Sequence, residues 1–301
     1  MDHLQRFYEK KRVLVTGGAG FIGSHLAERL VQLGARVTIL DNFSSGKLAN
    51  LKNVAHAITI LYADIRATYS CVKATSNQDI VFHLASFVSV PESLKNPELC
   101  YATNLNGTTN LLDACKKNNV KTFIFSSSSA VYGNKNGLCG EEDIPSPLSP
   151  YASSKNESEQ TCMQFAHLYN MNIASLRYFN VYGDRQNPHG SYAAVVAKFT
   201  HQLLQGQPLT IFGDGKQTRD FVHVSKAVDA NLNLGIRSDL HGDIFNVASG
   251  KSVSLLQLIE QLEAELQIKR TEIVFQPARD GDILHSQANC QKYQKMVQSG
   301  G

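Results

Sequence analysis

Arg12-Val13-Leu14-Val15-Thr16-Gly17-Gly18-Ala19-Gly20-Phe21-Ile22-Gly23 is the most informative stretch of the chain. Arg12–Thr16 is a short apolar, β-branched run, as expected of a strand covered on both faces. Helical periodicity follows over Phe21–Leu33. The glycines between them satisfy G-x-G-x-x-G from Gly18 and G-x-x-G-x-x-G from Gly17. In such a loop one glycine makes the tight turn, another lets backbone approach a pyrophosphate, and the last packs the helix on the sheet. The helix start offers free N–H groups and a positive dipole end to the phosphates. A glycine pattern alone is weak; its place between a strand and a helix is what points to a dinucleotide.

On either side the alternation continues. Arg36–Leu40, Ile58–Tyr62, Asp79–His83, Thr122–Ser126 and Ile173–Tyr178 read as strands, and Pro97–Lys117 and Pro150–Tyr169 as helices. Strand–helix alternation of this kind predicts an α/β fold, a doubly wound parallel sheet of the Rossmann type. After Tyr178 glycine and proline become frequent (Gly190, Gly206, Pro208, Gly213, Gly215), and helices recur at Ala193–Leu204, Ser225–Gly235 and Ser254–Leu266. This predicts a dinucleotide-binding domain over 1–178 and a smaller C-terminal substrate lobe over 179–301, although a chain can return to its sheet beyond such a boundary. A ligand would sit between them, at the carboxyl ends of the strands.

With 43% hydrophobic and 18% charged residues, the chain has an ordinary globular composition. The net charge of +3 is spread along the sequence rather than gathered into the basic face of a nucleic-acid binder. No run approaches the ~18–20 apolar residues that span a bilayer. The polar, charged Met1–Arg12 does not read as a secretory signal, so a cytoplasmic location is expected. Cys71, Cys100, Cys115, Cys139, Cys162 and Cys290 are scattered without a C-x-x-C pair, which predicts buried single thiols rather than disulfides or a metal site.

Asp41 closes the second strand near the ~20-residue offset of a ribose-binding acid. Its carboxylate would accept from an adenosine ribose and repel the extra phosphate of NADP. No arginine follows it directly, so NAD is the expected cofactor. Asp64-Ile65 closes the third strand and would flank the adenine; a plain turn aspartate is the other reading. Tyr151 and Lys155 lie four apart, on one face of a helix that Ser149 can cap and Pro150 can start. An ammonium beside a phenol would lower its pKa from ~10 and make Tyr151 a general base. The pair is common by chance, but Ser126–Ser129 ends a strand just upstream and would bring a hydroxyl to the same cleft.

These residues resemble a known family. Thr16–Leu26 (TGGAGFIGSHL), Asp41-Asn42, His83-Leu84-Ala85, Asn104 with Gly107-Thr108, Ser126–Gly133 (SSSSAVYG), Tyr151–Lys155, Arg177–Gly183 (RYFNVYG), Gly213–Val224 (GDGKQTRDFVHV) and Arg279–Ser286 (RDGDILHS) occur in order. Over roughly residues 11–290 the chain is similar to the extended short-chain dehydrogenase/reductases, and within them to the nucleotide-sugar 4-epimerases. The resemblance implies Ser128 as catalytic serine, Tyr151 as base and Lys155 as the residue orienting the nicotinamide ribose. It implies a cofactor site of Gly17, Gly20, Phe21, Ile22, Gly23, Asp41, Asn42, Asp64, Ile65, Leu84, Ala85, Ser86, Asn104, Ser126, Tyr151, Lys155 and Tyr178. It implies a substrate site of Ser128, Asn180, Tyr192, Arg219, Arg279, Asp282 and Ser286, with no metal. Asn180 and the two arginines would hold the substrate diphosphate, and Asp282 would lie near the uridine ribose.

The implied reaction is epimerisation at C4 of a UDP-sugar. Tyr151 takes the 4-hydroxyl proton, NAD accepts the C4 hydride, the 4-keto sugar rotates, and both return to the other face. The position four after the Asp of Arg-x-Gly-Asp lines the pocket beside the sugar's 2-substituent in enzymes similar to this one. Here it is Ser286, small enough for an N-acetyl group, so UDP-N-acetylglucosamine and UDP-N-acetylgalactosamine are expected substrates, with UDP-glucose and UDP-galactose beside them. Gln186-Asn187-Pro188, Gly190, Tyr192 and Ala193-Ala194 look like the same group. Two other readings are a nucleotide-sugar dehydratase or decarboxylase and a non-catalytic NAD-binding protein. Dehydratases of the family carry Asp-Glu, and decarboxylases Glu, just after the catalytic hydroxyl, where this chain has Ser129 and Ala130. Family enzymes are usually homodimers, through helices like Pro97–Lys117 and Pro150–Tyr169. Asp184, Ser225 and Asn289 depart from the family's Pro, Asp and Asp. The family also continues for about another helix beyond the Ser286 segment, which implies a shortened C-terminus here and a cost in activity.

Overall fold

Seven parallel strands form the central sheet in the order His241–Val247, Asn172–Tyr178, Thr122–Ser128, Ile80–His83, Arg12–Thr16, Arg36–Asp41, Ile58–Tyr62. The computed structural model describes residues 3–135, 137–188, 195–268, 272–278 and 284–298. The chain starts in the middle of the sheet and winds outward in both directions. The reversal lies between Arg12–Thr16 and Ile80–His83, where Thr16 pairs with His83. At such a switch point the following loops diverge and leave a crevice.

The alternation of side chains along each strand divides the core in two. Val13 and Val15 pack on one face with Leu26, Leu30, Phe82 and Leu232. Leu14, between them, packs on the other with Leu111, Phe123, Cys162 and Ile173. The helix Phe21–Gln32 covers the first face and the helices Gly107–Lys117 and Pro150–Tyr169 cover the second. All six cysteines are buried as single thiols, and burial pushes Cys71 up to about 12 and Cys290 up to about 11.

Most strand and helix limits lie within a residue or two of those the sequence predicts. The helical run expected at Pro97–Lys117 is Pro97–Tyr101 and Gly107–Lys117 joined by a wider π turn at 102–106. The boundary at residue 178 needs correcting. The helix Val224–Gly235 packs on the sheet and His241–Val247 pairs in parallel with Asn172–Tyr178. Without that return, Asn172–Tyr178 would be an open edge strand. Residues 224–247 therefore belong with the sheet.

What remains of the C-terminal lobe is built on a sheet of Asn180–Tyr182, Thr218–His223 and Ser252–Ser254. Its core joins Phe199, Leu203, Leu209, Ile211, Leu258 and Ile259. Buried Asp220 ties the lobe together, accepting from Ser249 N (2.8 Å), Ser249 Oγ (2.7 Å), Gly250 N (3.0 Å) and Ala288 N (3.2 Å). A further helix, Gln291–Gln298, follows the Ser286 segment and sets Tyr293 and Met296 against the sheet's core. Among the described residues no helix is long and apolar enough to cross a membrane.

Candidate active site

A cleft of about 830 Å³ opens at the carboxyl ends of the strands, and Gly17, Gly20, Phe21, Ile22 and Gly23 form its floor. Gly17 has φ +68°, and a Cβ there would stand 2.6 Å from Ala85 N. A Cβ on Gly23 would overlap the carbonyl oxygen of Gly17. Among the described residues no side chain caps the helix at Gly20, which leaves the first-turn N–H groups for a ligand. Asp41 is buried and held by Ala19 N (2.9 Å) and Phe43 N (2.8 Å), with its carboxylate on the cleft wall. Asn42 donates to Asp64 (2.8 Å), and the Arg66 guanidinium holds the Asp64 carboxyl down at about 2. Asp64, Ile65, Leu84, Ala85 and Ser86 line the same wall. Backbone that glycine leaves open and an acid fixed at the second strand end fit an adenine dinucleotide.

At the other end, Ser149 Oγ accepts from Ala152 N (3.2 Å) and Pro150 fills the first turn of Pro150–Tyr169. Tyr151 and Lys155 follow one turn apart, both on the cleft wall. Lys155 is buried over the Phe125 ring, and its Nζ donates to the Ser126 carbonyl (2.8 Å). Burial lowers its pKa to about 8. The Tyr151 phenol is pushed up by burial and drawn part of the way back by a hydrogen bond with Ser128. The expected lowering by Lys155 is not what this structure contains: the ammonium donates to the Ser126 carbonyl, and the hydrogen bond that draws the phenol down is with Ser128. Ser128 Oγ also accepts from Ala130 N (3.2 Å) at the start of the turn Ser129–Tyr132.

Residues 13–248 match the model of the NAD dependent epimerase/dehydratase family. The chain belongs to that family. It is 38% identical over 274 residues to the UDP-N-acetyl-alpha-D-glucosaminuronate decarboxylase of Bacillus cytotoxicus, covering 89% of this chain and 84% of that one. To the UDP-glucose 4-epimerase of Mycolicibacterium smegmatis it is 37% identical over 280 residues, covering 91% and 88%. The solved UDP-N-acetylglucosamine 4-epimerase from Methanobrevibacter ruminantium, in complex with UDP-N-acetylmuramic acid, superposes with a TM-score of 0.91 at 40% identity, over 96% of this chain and 92% of that one. NAD is thus the cofactor of the cleft, and nucleotide sugars are the substrates of its relatives.

Within this epimerase/dehydratase frame, the other expected residues divide. Tyr178 is buried on the cleft wall and its hydroxyl accepts from Asn231 Nδ2 (2.6 Å) and Ser126 Oγ (3.3 Å); burial pushes it up to about 12. Asn104 does not reach the cleft. Its Oδ1 accepts from Ser86 Oγ (2.9 Å) and Phe87 N (2.7 Å), while Nδ2 donates to Phe87 O (3.1 Å) and Ser154 Oγ (3.0 Å). It braces the loop that carries Ala85 and Ser86. Asn180, Arg219 and Ser286 are brought to one small sheet: Asn180 pairs with Phe221, and Ser286 N donates to Thr218 O (3.1 Å) beside Arg219. Asn180 Nδ2 is turned to Asp220 O (3.0 Å) and Arg219 Nη1 to Thr218 O (2.9 Å). None of the three is on the wall of the cofactor cleft. Tyr192, Arg279 and Asp282, with Gly190 and Ala193-Ala194, lie outside the described residues.

Several wall residues escaped the sequence reading. Ser44, Ser45, Lys47 and Asn50 follow Asp41 on the wall, and Arg185 joins them there, beside Gln186, Asn187 and Pro188, which the sequence had singled out for the sugar pocket. The Ser-Ser-Gly run after Asp41 was the available signal. Gly46 lets this loop close on Ala19, where a Cβ would meet the Ala19 methyl at 2.9 Å. Glu159, one turn beyond Lys155, was also missed. It takes the Ser127 hydroxyl and forks with Arg177 (2.9 and 2.7 Å), which lies over the Tyr132 ring.

Proposed function

We propose that this protein, acting as a cytoplasmic homodimer, interconverts the C4 epimers of a UDP-sugar, favouring UDP-N-acetylglucosamine and UDP-N-acetylgalactosamine. The supporting observation is the hydrogen bond of Ser128 with Tyr151, which shares the wall of the NAD cleft with Lys155, while only Ser129 and Ala130 follow the serine. In this reading Tyr151 takes the proton of the 4-hydroxyl, and Ser128 shares that hydroxyl and holds it in line. Bound NAD supplies the hydride acceptor and donor. Lys155 fixes the strand end at Ser126. Neither Ser129 nor Ala130 can move a proton at neutral pH, which disfavours dehydration and decarboxylation. The exposed Leu99, on the first of the helices expected at the dimer contact, and Leu94 just before it suit a second copy.

The test is to incubate the protein with UDP-glucose, UDP-galactose, their N-acetylamino counterparts and the corresponding UDP-uronates, and to resolve products by NMR. Epimers of the acetylated pair are expected. Loss of CO2 from a uronate would replace this reading with decarboxylation. Ser286→Tyr should abolish turnover of the acetylated sugars by steric exclusion and spare the plain ones. An unchanged substrate range in that variant would remove Ser286 from the pocket without touching the epimerase reading.

A further inference from the structure

The segment that follows Tyr182 joins the wall of the NAD cleft, and it is tied to the helix Phe21–Gln32 at two points. His25 Nε2 donates to the Asp184 carbonyl (2.8 Å). One turn along, Glu28 pairs with Nη2 of Arg185. His25 and Glu28 are three apart and so share a helix face. The backbone is shaped for this approach. Gly183 has φ +146° against Val224, and Arg185 itself has φ +66°. A non-glycine residue occupies that left-handed region only where its surroundings hold it there.

Arg185 is four-fifths buried and lines the cleft together with Gly20–Gly23, the loop and helix start suited to phosphates. Glu28 occupies one side of its guanidinium. Nη1 is buried and has no hydrogen-bond partner among the described residues. A buried guanidinium N–H without an acceptor is costly to leave unmade, and the guanidinium's planar fork can serve a carboxylate on one edge and a phosphate on another. The hydrogen bond from Arg185 keeps the Glu28 carboxyl below the usual range, so the pair is ionised at neutral pH.

We propose that Arg185, oriented by Glu28, donates through Nη1 to the diphosphate of bound NAD and latches the segment 183–188 over the cofactor. Glu28 is then a positioning residue that never touches the ligand. The idea rests on the family's use of NAD and not on which sugar reaction follows, so it is tested without any sugar.

Protein stripped of NAD is titrated with NAD, ADP-ribose and adenosine, each by displacement of NADH fluorescence, in the wild type and in Arg185→Met, Arg185→Lys and Glu28→Gln. Arg185→Met should weaken NAD and ADP-ribose by about tenfold or more, as expected for loss of a charge-assisted hydrogen bond. Adenosine, which has no diphosphate, should bind as before. Arg185→Lys should recover part of the loss. Glu28→Gln keeps the guanidinium and frees its orientation; it should weaken ADP-ribose by a smaller factor and again spare adenosine. Two outcomes overturn the latch. One is a lower Tm of the stripped variants with NAD and ADP-ribose affinity within about twofold of wild type, which leaves a purely structural tie. The other is an equal loss for adenosine, which means a distorted cleft. Should Arg185→Met fail to fold, Glu28→Gln decides between the same outcomes.

Discussion

Lys155 has the site's most strongly displaced cationic group. Its ammonium is buried over Phe125 with one fixed acceptor, the Ser126 carbonyl, and burial takes its pKa from 10.5 to about 8 while nearby Glu159 opposes the fall. In the unfolded chain the group titrates at its ordinary value. Below pH about 8 both states carry the proton, and Lys155 adds no slope to stability. Between about 8 and 10.5 the folded protein has released a proton that the unfolded chain still holds. The unfolded state then binds more protons, so this group makes stability rise with pH across that window. Lys155→Met removes the titration. In urea melts of the NAD-free protein, the wild type should gain on the order of 1–3 kcal/mol relative to Lys155→Met between pH 7.5 and 10. A difference that stays flat would show that the ammonium is solvated in the folded state.

At the scale of elements, the strand–loop–helix unit Arg12–Gln32 tolerates almost no added volume. A Cβ on Gly23 would overlap the Gly17 carbonyl and stand 2.9 Å from Gly18 Cα, and both are backbone atoms that cannot rotate away. Gly23→Ala should therefore cost roughly 1–3 kcal/mol as overpacking and open the loop that faces the phosphates. Thermal melts and NAD content measured together check this; an alanine variant with wild-type melting and full NAD would mean that the helix is not packed as described. That unit was legible in the sequence because its signals are local: an apolar run, then glycines, then a helical period. Other strands were legible for the same reason. The strand His241–Val247 was not, because Gly242, Asp243 and Asn246 break the apolar run. Each has a use that only the assembled fold reveals: Gly242 takes φ +85° against Met163, Asp243 pairs with Lys292, and Asn246 accepts from Tyr132 and donates to the Cys139 carbonyl. Asn104 is the opposite case. A motif names the residue type, but the π turn at 102–106 sets its direction, and there the amide is used up on Ser86, Phe87 and Ser154. Arg185 and Glu28 lie 157 positions apart, and no local pattern could have joined them.

At the scale of the molecule, the chain passes between the large sheet and the C-terminal lobe several times rather than once. Asn172–Tyr178 runs on into Asn180–Tyr182, Val224–Gly235 and His241–Val247 return to the sheet, and Gln287–Ala288 pairs with Leu138–Cys139. Asp220 joins the strand Thr218–His223 to the loop at Ser249-Gly250 and to Ala288, so the lobe's small sheet is fastened where these crossings meet. With no single linker to act as a hinge, the sheet and the lobe should unfold together. The NAD cleft draws its walls from Gly17–Gly23 and from Arg185–Pro188, so a ligand that fills it would bridge two segments far apart in the chain. A ligand that binds the folded state alone stabilises it by mass action, by roughly 2.7 kcal/mol at a hundredfold excess over Kd. For a protein of this size that corresponds to a rise in Tm of roughly 4 °C. Calorimetry of the stripped protein should therefore show one transition, moved upward as a whole when NAD is added. Two transitions, with only the earlier or the later one responding to NAD, would mean that the crossings do not couple the lobe to the sheet.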